Sequence, residues 1–149
     1  MKIYLDTSAL NRIFDDQYQP RIYLESSSML VIFVLIENQV VDIVSSDVLL
    51  FENLQNPHNE RRTFVGLVLE KAKSFQAIND KILKRAQEIE VCGILGLDSL
   101  HLACAELLEV DCFVTCDDKI LKKYRGNLDV KDPTEFVMDI IKGEKNDTE

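Results

Sequence analysis

Cys112-Phe113-Val114-Thr115-Cys116-Asp117-Asp118 is an apolar, β-branched and aromatic run that ends on two acids, and Lys2-Ile3-Tyr4-Leu5-Asp6 has the same form at the start of the chain. Both read as short strands with a carboxylate at or just past the carboxyl end. Val40 to Val44 is a third such run, and Ser74 to Ile78 and Leu128 to Val130 carry weaker strand signals. Between them lie stretches with helical spacing: Arg21 to Asn38, Asp47 to Gln55, Glu60 to Lys73, Asn79 to Val91, Ser99 to Glu109 and Lys119 to Tyr124. Strands alternating with helices predict an α/β protein whose mostly parallel sheet is covered on both faces. Ligands gather outside the carboxyl ends of such sheets. Asp6 and Asp117 are neighbours there if their strands pair in parallel.

Two further acids stand out against this frame. In the helix beginning near Ser46, Glu52 lies four residues after Val48 and three after Leu49, on the apolar side, where a carboxylate is rarely left unpaired. A place at the rim or a partner arginine is the structural alternative. Asp98 precedes the helical stretch Ser99 to Ala105, where a plain helix cap is the alternative. Thr115-Cys116-Asp117-Asp118 also fits a capping box, with Thr115 as the cap and Asp118 as the structural acid. His101, one turn beyond Asp98, reads as a packed or rim histidine rather than a ligand.

The bulk properties bound the function. A chain of 149 residues, 46% hydrophobic and 29% charged, is an ordinary globular composition and one domain by size. The domain is expected over residues 1–142: Asp132-Pro133-Thr134-Glu135 starts a last helix through Ile141, and the polar tail 143–149 is expected to be disordered. The longest apolar run, Met29 to Ile36, has eight residues against the roughly 20 that cross a bilayer, so it reads as a buried helix segment. Asp6 interrupts the amino end before a signal-type apolar region forms, which predicts a cytoplasmic protein without a membrane partner. The four cysteines lack a CxxC pair, and with only His58 and His101 beside them they read as reduced core residues rather than a zinc site. A net charge of −9 opposes broad attraction to nucleic acid. Local basic clusters (Lys81, Lys84 and Arg85; Arg61-Arg62; Lys119, Lys122, Lys123 and Arg125) offset it, as does any cation gathered by the acids.

The segments Leu5-Asp6-Thr7-Ser8-Ala9-Leu10-Asn11, Ser46-Asp47-Val48-Leu49-Leu50-Phe51-Glu52, Leu97-Asp98-Ser99-Leu100-His101-Leu102-Ala103 and Phe113-Val114-Thr115-Cys116-Asp117 resemble the four acidic motifs of the PIN domain, in its usual order over residues 1 to about 137. The resemblance implies a three-layer α/β/α sandwich and a metal-dependent endoribonuclease similar to VapC-like toxins of type II toxin–antitoxin pairs. It implies that Asp6, Glu52, Asp98 and Asp117 bind Mg²⁺ or Mn²⁺ directly or through water. Asn11, Thr115 and Asp118 would then support those ligands or the phosphate. Lys84, Arg85, Lys119 and Lys122 are the expected RNA contacts, with an antitoxin protein and a homodimer as partners. Single-stranded or loop RNA is the expected substrate class. The long apolar stretch before Asn38 and the acidic balance depart from a generic RNA-cutting toxin. The alternative is a catalytically silent PIN fold kept as an RNA- or protein-binding module. A haloacid-dehalogenase phosphatase is excluded because Ser8 stands where its second aspartate belongs, and a phospho-receiver domain because Asp80 begins a helix instead of ending a mid-chain strand.

Overall fold

The computed structural model describes the backbone of residues 1–148 and the side chains of residues 1–143. The strands are β1 (Lys2–Leu5), β2 (Asp42–Ser46), β3 (Ser74–Gln76), β4 (Cys112–Val114) and β5 (Val130–Lys131). They form one parallel sheet in the order β3-β2-β1-β4-β5. Ile3 lies opposite Ile43 on one side and Cys112 on the other. The centre of the sheet is buried on both faces: Ile3, Tyr4, Leu5, Ile43, Val44, Cys112, Phe113 and Val114 are all covered. That burial explains why these strands read as continuous apolar runs rather than alternating ones.

The helices are α1 (Thr7–Asn11), α2 (Pro20–Glu37), α3 (Asp47–Leu54), α4 (Asn59–Leu69), α5 (Asp80–Glu90), α6 (Leu97–Leu107), α7 (Asp118–Lys123) and α8 (Pro133–Thr148). α2 packs on α8, α5 on α6, and α3 on both α4 and α6, which gives a three-layer α/β/α sandwich. Ordinary start signals set several of these ends. Pro20 opens α2. Ser46 and Asn79 cap α3 and α5 through their side chains. Asp132 accepts from the Glu135 amide ahead of α8. In α5, Ile82, Ala86 and Ile89 fall on one face and are buried.

The structure corrects several expectations. β2 begins at Asp42, not Val40, because the Val40 and Val41 amides close the end of α2 on the Leu35 carbonyl. Only one face of the run Met29 to Ile36 is buried: Met29, Ile32 and Ile36 are covered, whereas Leu30, Val31 and Val34 are exposed. The short helix α1 was not legible from spacing. Cys104, Cys112 and Cys116 are core residues, but Cys92 is exposed. Burial pushes the Cys104 and Cys112 thiols up to about 12, so they stay protonated near neutrality. The expectation of disorder over 143–149 falls, from residue 144 on, outside the described side chains. No helix among the described residues is long and apolar enough to cross a membrane.

Candidate functional site: an acidic cleft at the strand ends

The strand order reverses direction between β1 and β4, and at such a point the connections leave on opposite sides and open a crevice. Asp6 stands there. It caps α1 by accepting from the Ala9 amide (3.0 Å), and its two oxygens also accept from the hydroxyls of Ser8 (2.7 Å) and Thr115 (2.5 Å). Those hydroxyls in turn accept from the Cys116 and Asp117 amides (2.9 and 3.0 Å), which ties the end of β1 to the end of β4. Asp6 is buried. Burial raises its pKa, against the lowering effect of these three hydrogen bonds.

Glu52 reaches the same place from α3. Its Oε1 lies 2.9 Å from His101 Nε2, at hydrogen-bond distance. Burial pushes the Glu52 carboxyl up, but hydrogen bonds from His101 and Thr7 outweigh it and leave the pKa below its ordinary value. Asp98 is the second residue of α6. It is not the helix cap, because that position belongs to Gly96, whose φ of 63° is in the left-handed region that favours glycine. Its carboxyl is pushed up to about 6, first by burial and then by the charges of Asp117 and Asp6, with a smaller contribution from Glu52. Asp117 caps α7 by accepting from the Lys119 amide at 2.8 Å. The cap is thus Asp117 itself, and the predicted capping box from Thr115 to Asp118 is not formed: Thr115 is spent on Asp6, and both oxygens of Asp118 are held by Arg21 at 2.8 Å.

Asp6, Asn11, Glu52, Asp98 and Asp117 line one cleft of about 460 Å³ together with Thr7, Ser8, Arg12, Asp15, Asn56, Arg61, His101 and Cys116. Thr115 lies buried against Asp6, and Asp118 is outside the lining. Lys84 and Arg85 line a different cleft on α5 and α6, where Arg85 is paired with Glu106 and Glu88. Lys119 and Lys122 are exposed on α7, directly after Asp117. The cations that do line the acidic cleft are Arg12 and Arg61. Both bind Asp15 (3.2 and 3.1 Å), and Arg12 also holds Glu25 at 2.8 Å. The Arg61-Arg62 pair was visible as a basic cluster, but nothing in the spacing ties it to Asp6. His101 was read as packed, and it is 1% exposed. Its contact with Glu52 required the helix partners of α3 and α6 to be known.

A hard divalent cation suits the carboxylates of this lining, Asp6, Glu52, Asp98 and Asp117. Among the described residues no three acidic, histidine or cysteine side chains are disposed to hold an ion unaided. Carboxylates without a counter-ion repel and spread, and Mg²⁺ in particular retains several waters and needs only one or two direct carboxylates. The Asp98 carboxyl is raised by burial and in part by the charges of Asp117, Asp6 and Glu52.

An open parallel sheet with acids gathered at its switch point defines an α/β protein with an acidic cleft at the strand ends. The chain belongs to the PIN domain family, whose model matches residues 3–126. Its fold is similar to a chain of VapBC2 from Rickettsia felis, solved bound to a DNA fragment from their promoter, with 18% identity, a TM-score of 0.56, and coverage of 89% of this chain and 98% of that one. It is also similar to a chain of FitAcB from Neisseria gonorrhoeae, with 14% identity, a TM-score of 0.52, and coverage of 88% and 97%. No curated protein sequence matches the chain.

Proposed function

We propose that the chain is a metal-dependent endoribonuclease that hydrolyses RNA phosphodiester bonds in the acidic cleft, and that it acts as the toxin of a type II toxin–antitoxin pair. The observation that carries the reading is the meeting of Asp6, Glu52, Asp98 and Asp117, from four separate parts of the chain, in one cleft. Asp98 feels the charge of the other three. These four residues would hold the Mg²⁺ or Mn²⁺. A bound cation of this kind offsets charge on the phosphoryl oxygens and lowers the pKa of an attacking water.

The chain's own residues do the positioning. Ser8, Thr115 and the Ala9 amide fix both oxygens of Asp6. Glu52 is held by His101. Asp98 takes part in no hydrogen bond in the cleft among the described residues, so its carboxylate is the one free to turn toward a cation. Arg12 and Arg61, with Lys119 and Lys122 beyond Asp117, offer donors to RNA phosphates, since guanidinium and ammonium groups bind phosphate well. The RNA path follows this wall and not Lys84 and Arg85, which line a different cleft.

The family membership and the VapBC2 neighbour support an antitoxin protein as partner. A cytoplasmic location and a homodimer belong to the same reading. The test is cleavage of an unstructured RNA by protein freed of contaminating nuclease. Cleavage is expected with Mn²⁺ or Mg²⁺, to be lost in excess EDTA and lost in Asp117→Asn. Full-rate cleavage in EDTA overturns the reading.

A further inference from the structure

A chain of hydrogen bonds runs from the core into the cleft and uses groups that nuclease chemistry itself does not require. The Leu49 amide donates to Ser46 Oγ (3.1 Å), Ser46 Oγ meets Tyr4 Oη (2.8 Å), and Tyr4 Oη meets His101 Nδ1 (2.6 Å). His101 Nε2 then meets Glu52 Oε1 (2.9 Å). Tyr4 is fully buried, stacked on Phe113 with ring centroids 5.2 Å apart and edge-on to His101 at 5.6 Å. Ser46 is also fully buried and His101 nearly so, and the row reaches the open cleft only at Glu52.

The proton placement follows from the ends of the row. An ionised carboxylate only accepts, so His101 Nε2 must carry a hydrogen. A glutamate carboxyl is ionised near neutral pH, and that of Glu52 meets Nε2 at hydrogen-bond distance. In the neutral ring Nδ1 is then an acceptor and takes the Tyr4 hydroxyl proton. With the Tyr4 proton directed to His101, Ser46 donates its own proton to Tyr4 while it accepts from the Leu49 amide. The opposite tautomer would set a bare Nε2 lone pair against Glu52. We propose that Tyr4 and Ser46 hold His101 in the Nε2–H form, and that His101 is thereby a positioning residue fixing Glu52 at the rim of the cleft for the cation. The role rests on the metal reading above. It has the form common to metal sites, in which the groups behind the ligands set their orientation and basicity.

The experiment has two arms on the full chain. In the metal-free protein near neutral pH, nitrogen-15 spectra of the two histidines, His58 and His101, report the tautomer directly, with His101→Gln identifying the signals. Nε2–H at His101 is expected, with loss of the single-tautomer signature in Tyr4→Phe, which keeps the stacked ring and removes only the hydroxyl. A neutral Nδ1–H ring overturns the proposal whether or not the protein binds metal. In the second arm Mn²⁺ alone is titrated by calorimetry. His101→Leu, with no donor, is expected to bind roughly 10- to 100-fold more weakly. His101→Gln, whose amide donates to Glu52, is expected to recover most of that loss. Affinity in a folded His101→Leu protein within threefold of the original also overturns it. A wild-type protein that shows the expected tautomer but binds no Mn²⁺ overturns the metal reading, and with it any role of His101 toward a cation.

Discussion

Replacing Asp98 by Asn should abolish cleavage and yet make the metal-free protein more heat-stable. Burial and the charges of Asp117, Asp6 and Glu52 push the Asp98 carboxyl from 3.8 up to about 6. A shift of that size corresponds to about 3 kcal/mol at full weight, at 1.36 kcal/mol per unit. The group is only half-buried, and screening by water reduces this to about 1–2 kcal/mol. Because the folded pKa lies above the unfolded one, the native state binds the proton more tightly. The penalty is therefore absent below about pH 4, grows as pH rises toward 6, and is complete above it. Asn removes the charge at similar size, and the helix start is not at risk because Gly96, not Asp98, occupies the cap. For a domain of this size the gain amounts to roughly 3–6 °C in Tm. Melting curves in EDTA at pH 7.5 and pH 4.5 should show the advantage at the higher pH and most of it lost at the lower. Saturating Mn²⁺ should cancel or reverse it, since the ion stabilises the intact cluster. An Asn variant that is less stable in EDTA at pH 7.5, or whose advantage ignores pH, refutes the reasoning.

Other consequences are open to simpler assays. Arg61→Gln should weaken RNA binding at low salt severalfold and flatten the salt dependence by about one phosphate contact, while Lys84→Glu leaves both unchanged; filter binding across a salt series checks it. Tyr124→Phe removes the hydroxyl that donates to Glu106 and accepts from the Leu128 amide. It should cost about 1–2 kcal/mol in chemical denaturation with RNA cleavage intact. Asn79→Ala removes the cap of α5 and should cost about 1 kcal/mol, again without an effect on cleavage.

The strands that build the centre of the sheet were legible because they are buried on both sides, so their sequences are unbroken apolar runs whichever neighbours they take. Asp6 and Asp117 were legible for a related reason: a carboxylate closing such a run sits at the strand end whatever the helices do. Glu52 stood out as a charge on the apolar side of a helix. Boundaries were read less well. Val40 has the composition of a strand residue but lies in the turn that closes α2, because the backbone bond to Leu35 outweighs a side-chain preference. α1 is five residues long and is held by the Asp6 cap, so no apolar period announces it.

By itself the sequence determined the alternation of strands and helices, the four acids and their order, since these depend on local patterning and on which groups tolerate burial. Only the tertiary structure decided their company. It placed His101 against Glu52 and Tyr4 behind His101, gave Asp118 to Arg21, and brought Arg12 and Arg61, rather than Lys84 and Arg85, to the cleft. The pairs Tyr4–His101 and Glu52–His101 lie 97 and 49 residues apart in the chain. Such contacts are set by strand order and by which helix packs on which, and no local propensity encodes them.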